Sequence, residues 1–98
     1  MIYRVLLEPE ARTDIQEGID WYNKVESGLG KRFLSDVEAQ IDYLSKSPFH
    51  QIRYDNVRCL PLEIFPYMIH YTVDEDAKTI IIRAVFSTFI SPERWQKR

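Results

Sequence analysis

Residues 57–86 read Val57-Arg58-Cys59-Leu60-Pro61-Leu62, Glu63-Ile64, Phe65-Pro66-Tyr67-Met68-Ile69-His70-Tyr71-Thr72-Val73, Asp74-Glu75-Asp76-Ala77-Lys78, and Thr79-Ile80-Ile81-Ile82-Arg83-Ala84-Val85-Phe86. The first, third and fifth groups are rich in β-branched and aromatic residues; the second and fourth are short links. Links this short join strands that run antiparallel, so the stretch predicts a three-stranded meander. The first strand alternates, with Val57, Cys59 and Pro61 on one face and Arg58, Leu60 and Leu62 on the other. Pro61 predicts an edge or a bulge near its end. The Thr79–Phe86 run is apolar on both faces, which places it inside the sheet with material on either side.

Upstream, the period changes from two to three or four. Ala11, Ile15, Ile19 and Tyr22, closed by Val25, mark a helix from Pro9 to about Glu26. Pro9 suits its first turn, and Glu10 and Asp14 suit its positive end. Ser27-Gly28-Leu29-Gly30 interrupts it. A second stripe of Phe33, Val37, Ile41 and Leu44, with Leu34 alongside, predicts a helix from about Leu29 to Lys46, ended by Ser47-Pro48. So short a link makes the two helices an antiparallel hairpin. Ile2–Glu8 reads as an N-terminal strand stopped by Pro9. Phe49–Asn56 reads as a loop, or as a strand beginning near Ile52. The tail from Ser87 to Arg98 is amphipathic and carries Trp95.

The whole is an α+β domain: an N-terminal strand, an antiparallel helical hairpin, then a three-stranded antiparallel meander. The first strand lies beside a later one in a single curled sheet. Ninety-eight residues fit one domain over 1–98, and a 45% apolar, 29% charged composition is that of a globular protein. Cys59 is the single cysteine, so no internal disulfide forms and no Cys/His spacing predicts a metal site. The N-terminus lacks the basic and apolar runs of a signal peptide, and no apolar run is long enough to span a membrane. The expectation is a cytoplasmic protein without metal or cofactor.

Charge is uneven. Residues 1–49 hold six Lys/Arg against nine Asp/Glu, and residues 50–98 hold seven against six, for a formal net charge of −2. Proteins that live on phosphate contacts are usually basic, which argues against bulk nucleic-acid binding.

The hairpin stripe, the Val57–Leu62 run, Phe65-Pro66-Tyr67, Ile69-His70-Tyr71, the Ile80–Phe86 run and Pro92 before Trp95 stand in an order that resembles the RelE/ParE toxin superfamily. The nearer branch is that of the ParE-like plasmid stabilisation toxins. Ala11, Asp14-Ile15, Arg32-Phe33-Leu34 and Ser47-Pro48 agree with it, and the resemblance spans about Tyr3 to Trp95. It implies two helices on a curled antiparallel sheet. It also implies a toxin held inactive by a cognate antitoxin whose extended tail wraps over helices and sheet. Two actions follow from it: ParE-like members poison DNA gyrase, whereas RelE-like members cut messenger RNA in the ribosome with Lys/Arg and Tyr side chains. A degenerate, non-toxic member that still binds its antitoxin is a third reading.

Cleaving RNA by attack of a 2′-hydroxyl needs a proton relay and cations near the phosphate. The resemblance implies a basic residue just after Tyr67 and more after the last strand. This sequence has Met68 in the first place and Ser87-Thr88-Phe89-Ile90-Ser91 in the second. Under the nuclease alternative the catalytic candidates are Arg58, Arg83 and His70. Each has a competing structural reading: a surface arginine, a salt bridge from Arg83 to Glu63 or another sheet carboxylate, and a packed histidine. The partner-binding candidates are Arg58, Tyr67, Arg94 and Trp95. Against that, Tyr67 and Tyr71 read as packing residues, and Trp95 as a cap on the core. Cys59 as a nucleophile would need an activating histidine or positive surroundings, and Arg58 points to the other face. Glu8, Glu10, Asp14 and Glu17 read as helix-end charges and a solvated face. The pattern permits, without requiring, a homodimer through the helical hairpin. The binding reading is favoured: an antitoxin-controlled toxin with a protein target.

Overall fold

The computed structural model describes residues 2–95. Its elements are β1 (Arg4–Leu7), α1 (Pro9–Val25), α2 (Leu29–Lys46), β2 (Ile52–Tyr54), β3 (Val57–Pro61), β4 (Tyr67–Asp74), β5 (Thr79–Ser87) and α3 (Pro92–Trp95). They form one five-stranded sheet in the order β1-β5-β4-β3-β2. The meander β3-β4-β5 is antiparallel, and β1 lies parallel to β5 with Arg4 opposite Thr79 and Leu7 opposite Ile82. The helical hairpin carries the chain from β1 to β2 at the far edge of the sheet, and the strands that follow bring β5 back beside β1. The Phe49–Asn56 segment does contain a strand, β2, which pairs with β3 and makes the sheet five-stranded.

Element ends differ from expectation by small steps. The first strand stops at Leu7, because Glu8 is already the N-cap residue of α1. α1 ends at Val25, with Glu26 as the C-cap. Val25 does not close the buried stripe: it is 62% exposed. Gly28 takes a left-handed conformation (φ 92°) in the link, a conformation that favours glycine.

Both faces of the sheet are covered, which explains the two-sided apolar character of β5. On the helix side, Ala11 and Ile15 of α1 and Phe33, Val37 and Leu44 of α2 pack on Leu60, Ile69, Tyr71, Ile80, Ile82 and Val85. Gly18 lets the hairpin close, since a Cβ there would stand 2.5 Å from Cε2 of Phe33. Phe33 in turn meets Tyr22, Phe65 and Tyr67 at ring-centroid distances of 4.9–5.5 Å. On the opposite, outer side, Trp95 of α3 lies over His70 at 4.7 Å and Tyr54 at 5.7 Å, and Val57, Cys59 and Ala84 are also buried.

Two polar residues of α2 fix the corner between β3 and β4. The carboxylate of buried Asp36 accepts the backbone N–H groups of Glu63, Ile64 and Phe65 at 3.2, 2.9 and 3.0 Å. One turn along the helix, Gln40 donates to the carbonyl of Pro61 at 2.8 Å. Asp14 of α1 accepts the N–H of Val85 at 3.0 Å, beyond the point where β1 ends. Helix and sheet are therefore joined by hydrogen bonds as well as by apolar contact.

Candidate functional site

The candidate residues divide between the two faces of the sheet. Arg58, on β3, is half-buried. Its guanidinium donates to the carbonyl of His50 at 2.6 Å and lies 5.3 Å from the Phe49 ring centroid. Tyr71, its cross-strand partner, is fully buried and donates its hydroxyl to Pro48 at 2.7 Å. The two side chains thus tie down the 48–50 loop. Burial pushes the Tyr71 phenol up to about 12.

His70 occupies the outer face and is fully buried. Its Nδ1 is 3.0 Å from the Tyr54 hydroxyl and 3.4 Å from Sγ of Cys59, and its ring is flanked by Phe86 and Trp95. Cys59 therefore has a histidine neighbour that strand alternation alone did not reveal. Burial nonetheless pushes the thiol up to about 11, only partly offset by Arg53, so it is protonated at neutral pH.

Arg83 also lies on the outer side, at the irregularity where the β4–β5 register passes from His70–Ala84 to Tyr71–Ile82. Its carboxylate partner is Glu8, not Glu63; it also donates to Oγ1 of Thr72 at 3.2 Å. Glu63 sits at the β3–β4 corner, where its own N–H is held by Asp36. The outer cleft around Arg83 is lined by Glu8, Glu10, Asp55, Tyr54, Phe86 and Trp95. A second opening on the Arg83 side is bordered by Asp74, Glu75 and Asp76. Acidic groups therefore surround the exposed Arg83 on both sides.

Arg58 and His70 thus sit on opposite faces, and the three catalytic candidates do not converge on one point. Tyr67 is half-buried within the Tyr22–Phe33–Phe65 cluster, as the packing reading expected. Burial first, then Tyr22, Asp14 and Glu17, raises its phenol above the usual 10.0. Trp95 is 8% exposed and caps the outer face, whereas Arg94 is exposed on α3. Gln96, Lys97 and Arg98, the basic end of the tail, lie outside the described residues. Among the described residues no cluster of His, Cys, Asp and Glu is placed to hold a metal ion, and no helix is long and apolar enough to cross a membrane.

The residues that sequence reasoning missed are Asp36 and Gln40. Their spacing of four, on the side of α2 next to its apolar stripe, was the available signal. Polar side chains there read as solvated until the β3–β4 corner is seen against them.

Several solved structures with a similar fold come from toxin–antitoxin systems. The chain is similar to one from the chromosomal ParDE system of P. aeruginosa, with a TM-score of 0.77 and 19% identity over 88% of this chain and 96% of that one. It is similar to a chain of the RelBE2 toxin–antitoxin complex from Mycobacterium tuberculosis, with a TM-score of 0.62 and 18% identity over 89% and 99%. The isolated RelE toxin of E. coli gives a TM-score of 0.62 at 12% identity over 97% and 94%. No curated protein sequence matches significantly. Residues 5–88 match the family model described as the ParE toxin of the type II toxin–antitoxin system parDE. The chain belongs to the ParE toxin family.

Proposed function

We propose that this ParE-type toxin is held inactive by a cognate antitoxin and, when free, acts by binding a protein target, with DNA gyrase the leading candidate. The observation that carries this reading is the charge of the outer sheet face. A ribonuclease needs cations around the scissile phosphate. Here the exposed Arg83 is paired with Glu8 and bordered by Glu10 and Asp55. Met68, Ser87 and Ile90 stand where the RelE-like pattern would carry basic groups. His70 is sealed beneath Trp95. Acidic walls repel the phosphates of a message, which favours a protein partner over RNA.

A cytoplasmic site of action and a role in plasmid or chromosomal maintenance in a bacterium go with this proposal. The antitoxin is expected from a short neighbouring reading frame that encodes a DNA-binding protein. The test is induction of the chain alone in a bacterial host, with and without that neighbour. Filamentation with a DNA-damage response, relieved by the neighbour, is the expected result. Rapid arrest of translation with cut messages would favour the RelE-like nuclease instead. Unaffected growth would leave the non-toxic, antitoxin-binding reading.

A further inference from the structure

We infer that the free edge of β1 pairs with the β1 edge of a second copy of this chain, antiparallel and two-fold symmetric about Leu6. The inference goes beyond the toxin reading and does not depend on which target the chain poisons. The parallel ladder to β5 uses alternate residues of β1. Arg4 donates its N–H to Lys78, and Glu8, just past the strand, donates to Ile82, each at 2.9 Å. Val5 and Leu7 therefore turn their N–H and C=O groups to the other side, where β1 is the last strand of the sheet. Among the described residues neither of those N–H groups has a backbone partner. Such an edge is a template for a further strand.

The neighbouring backbone fixes the register. On the same side, the Tyr3 N–H is taken by the carbonyl of Ser45 at 2.8 Å, and Pro9 has no N–H to give. A two-fold axis at Val5 would need the first of these donors and one at Leu7 the second. An axis at Leu6 needs neither: Val5 of each copy faces Leu7 of the other, and every edge N–H and C=O of both residues is paired. The side chains agree with this register. Val5 and Leu7 pack towards the core, so Arg4, Leu6 and Glu8 share the outer face. Leu6 then meets Leu6, and Arg4 of each copy meets Glu8 of the other. Leu6 is 49% exposed, and the exposed Arg4 has no carboxylate partner among the described residues. Glu8 binds Arg83 through Oε1, which leaves Oε2 for a second cation. Cation, apolar group and anion thus stand in the self-complementary order that a two-fold contact requires. The opposite edge lacks it, because pairing β2 about its middle residue would set Arg53 against Arg53. The contact also brings Arg4 of the partner subunit to the rim of the outer cleft that Glu8 lines.

The test is sedimentation of the purified full chain at up to about 1 mM, since two short strands make a small contact. A concentration-dependent dimer is expected. Leu6→Lys sets ammonium against ammonium at the axis, and Arg4→Glu sets acid against acid on either side of it. Each should raise the dissociation constant by about tenfold or more, while Arg53→Glu on β2 leaves it unchanged. Thermal melts confirm that each variant is folded. Oxidative cross-linking reads the register separately. Leu6→Cys should give a disulfide-linked dimer, because the facing Cα atoms lie about 4.5 Å apart in such a pair. Arg4→Cys, about 13 Å from its own copy, should not. Cys59 is buried and does not compete. A native chain that stays monomeric, with Leu6→Cys left uncross-linked, overturns the inference. So does a dimer that Leu6→Lys and Arg4→Glu both leave intact, since the contact then lies elsewhere. A monomeric chain whose antitoxin binding is weakened by Leu6→Lys also overturns it, because the edge then takes an antitoxin strand instead.

Discussion

Oδ2 of Asp36 accepts the N–H of Phe65 at 3.0 Å, joining the middle of α2 to the corner just before β4 across 29 residues of chain. The same carboxylate holds Glu63 and Ile64, so one buried side chain satisfies three successive backbone donors. Removing it leaves those donors facing a partly apolar corner. Asp36→Ala is expected to lower unfolding stability by about 2–4 kcal/mol, since charge-assisted bonds contribute more than neutral ones and unsatisfied donors add a penalty. Asp36→Asn should lose less. Urea titration of the three proteins checks this ordering, and an alanine variant within about 0.5 kcal/mol of native would contradict it.

Gly18 and Phe33 form a second dependence. A methyl at residue 18 would meet the Phe33 ring at 2.5 Å, and that ring is held by Tyr22, Phe65 and Tyr67. Gly18→Ala should therefore destabilise by about 1–3 kcal/mol, despite the better helix propensity of alanine. Adding Phe33→Leu should recover part of that loss, a coupling readable in a double-mutant cycle. Strict additivity of the two changes would show that the ring is free to move aside.

Stability should fall in alkaline solution for an identifiable reason. The Cys59 thiol is raised from 9.0 to about 11 and the Tyr71 phenol from 10.0 to about 12, both by burial. The folded state therefore holds these protons more tightly than the unfolded chain. Their contribution is fully present below pH 9 and is lost as pH rises through about 11 and 12. Chemical denaturation at pH 8 and pH 11 should show a smaller alkaline loss in Cys59→Ala, and likewise in Tyr71→Phe, than in the native chain. Equal slopes in all three would place the alkaline sensitivity elsewhere. Slow reaction of native Cys59 with thiol reagents at pH 7, accelerated by unfolding, is the companion observation.

Much of the architecture was legible in the sequence because its signals are local. The Phe33–Val37–Leu44 stripe, the short hairpin link and the alternation of Val57–Leu62 each follow from a period that a few residues display. The parallel β1–β5 pairing was foreseen only as a first strand beside some later one. What local periods cannot carry is contact between distant segments. Val25 continues the α1 stripe in sequence but turns out to solvent at the helix end. Asp36 reads as a surface acid until residues 63–65 are brought against it. Glu8, not Glu63, meets Arg83 because β1 lies next to β5, a neighbour relation set when the last strand returns across the sheet to β1.

The candidate site was less legible for the same reason. Strand alternation correctly put Arg58 and Cys59 on opposite faces. It could not show that Trp95 folds back over His70, or that Arg58 is spent on the 48–50 loop. If the toxin acts by binding, neither arginine is needed for chemistry. Arg58→Ala and Arg83→Ala should each keep toxicity on induction, with at most a small loss of stability for the partly exposed Arg83–Glu8 pair. Loss of toxicity in both folded variants, together with loss of message cleavage, would restore the nuclease assignment.

The most direct test uses purified chain, DNA gyrase, ATP and relaxed plasmid, with message integrity followed in a parallel translation extract. The binding account predicts impaired supercoiling with accumulation of protein-linked, broken DNA, reversed by the antitoxin, and intact messages. Undisturbed gyrase alongside ribosome-dependent cutting of messages would contradict it.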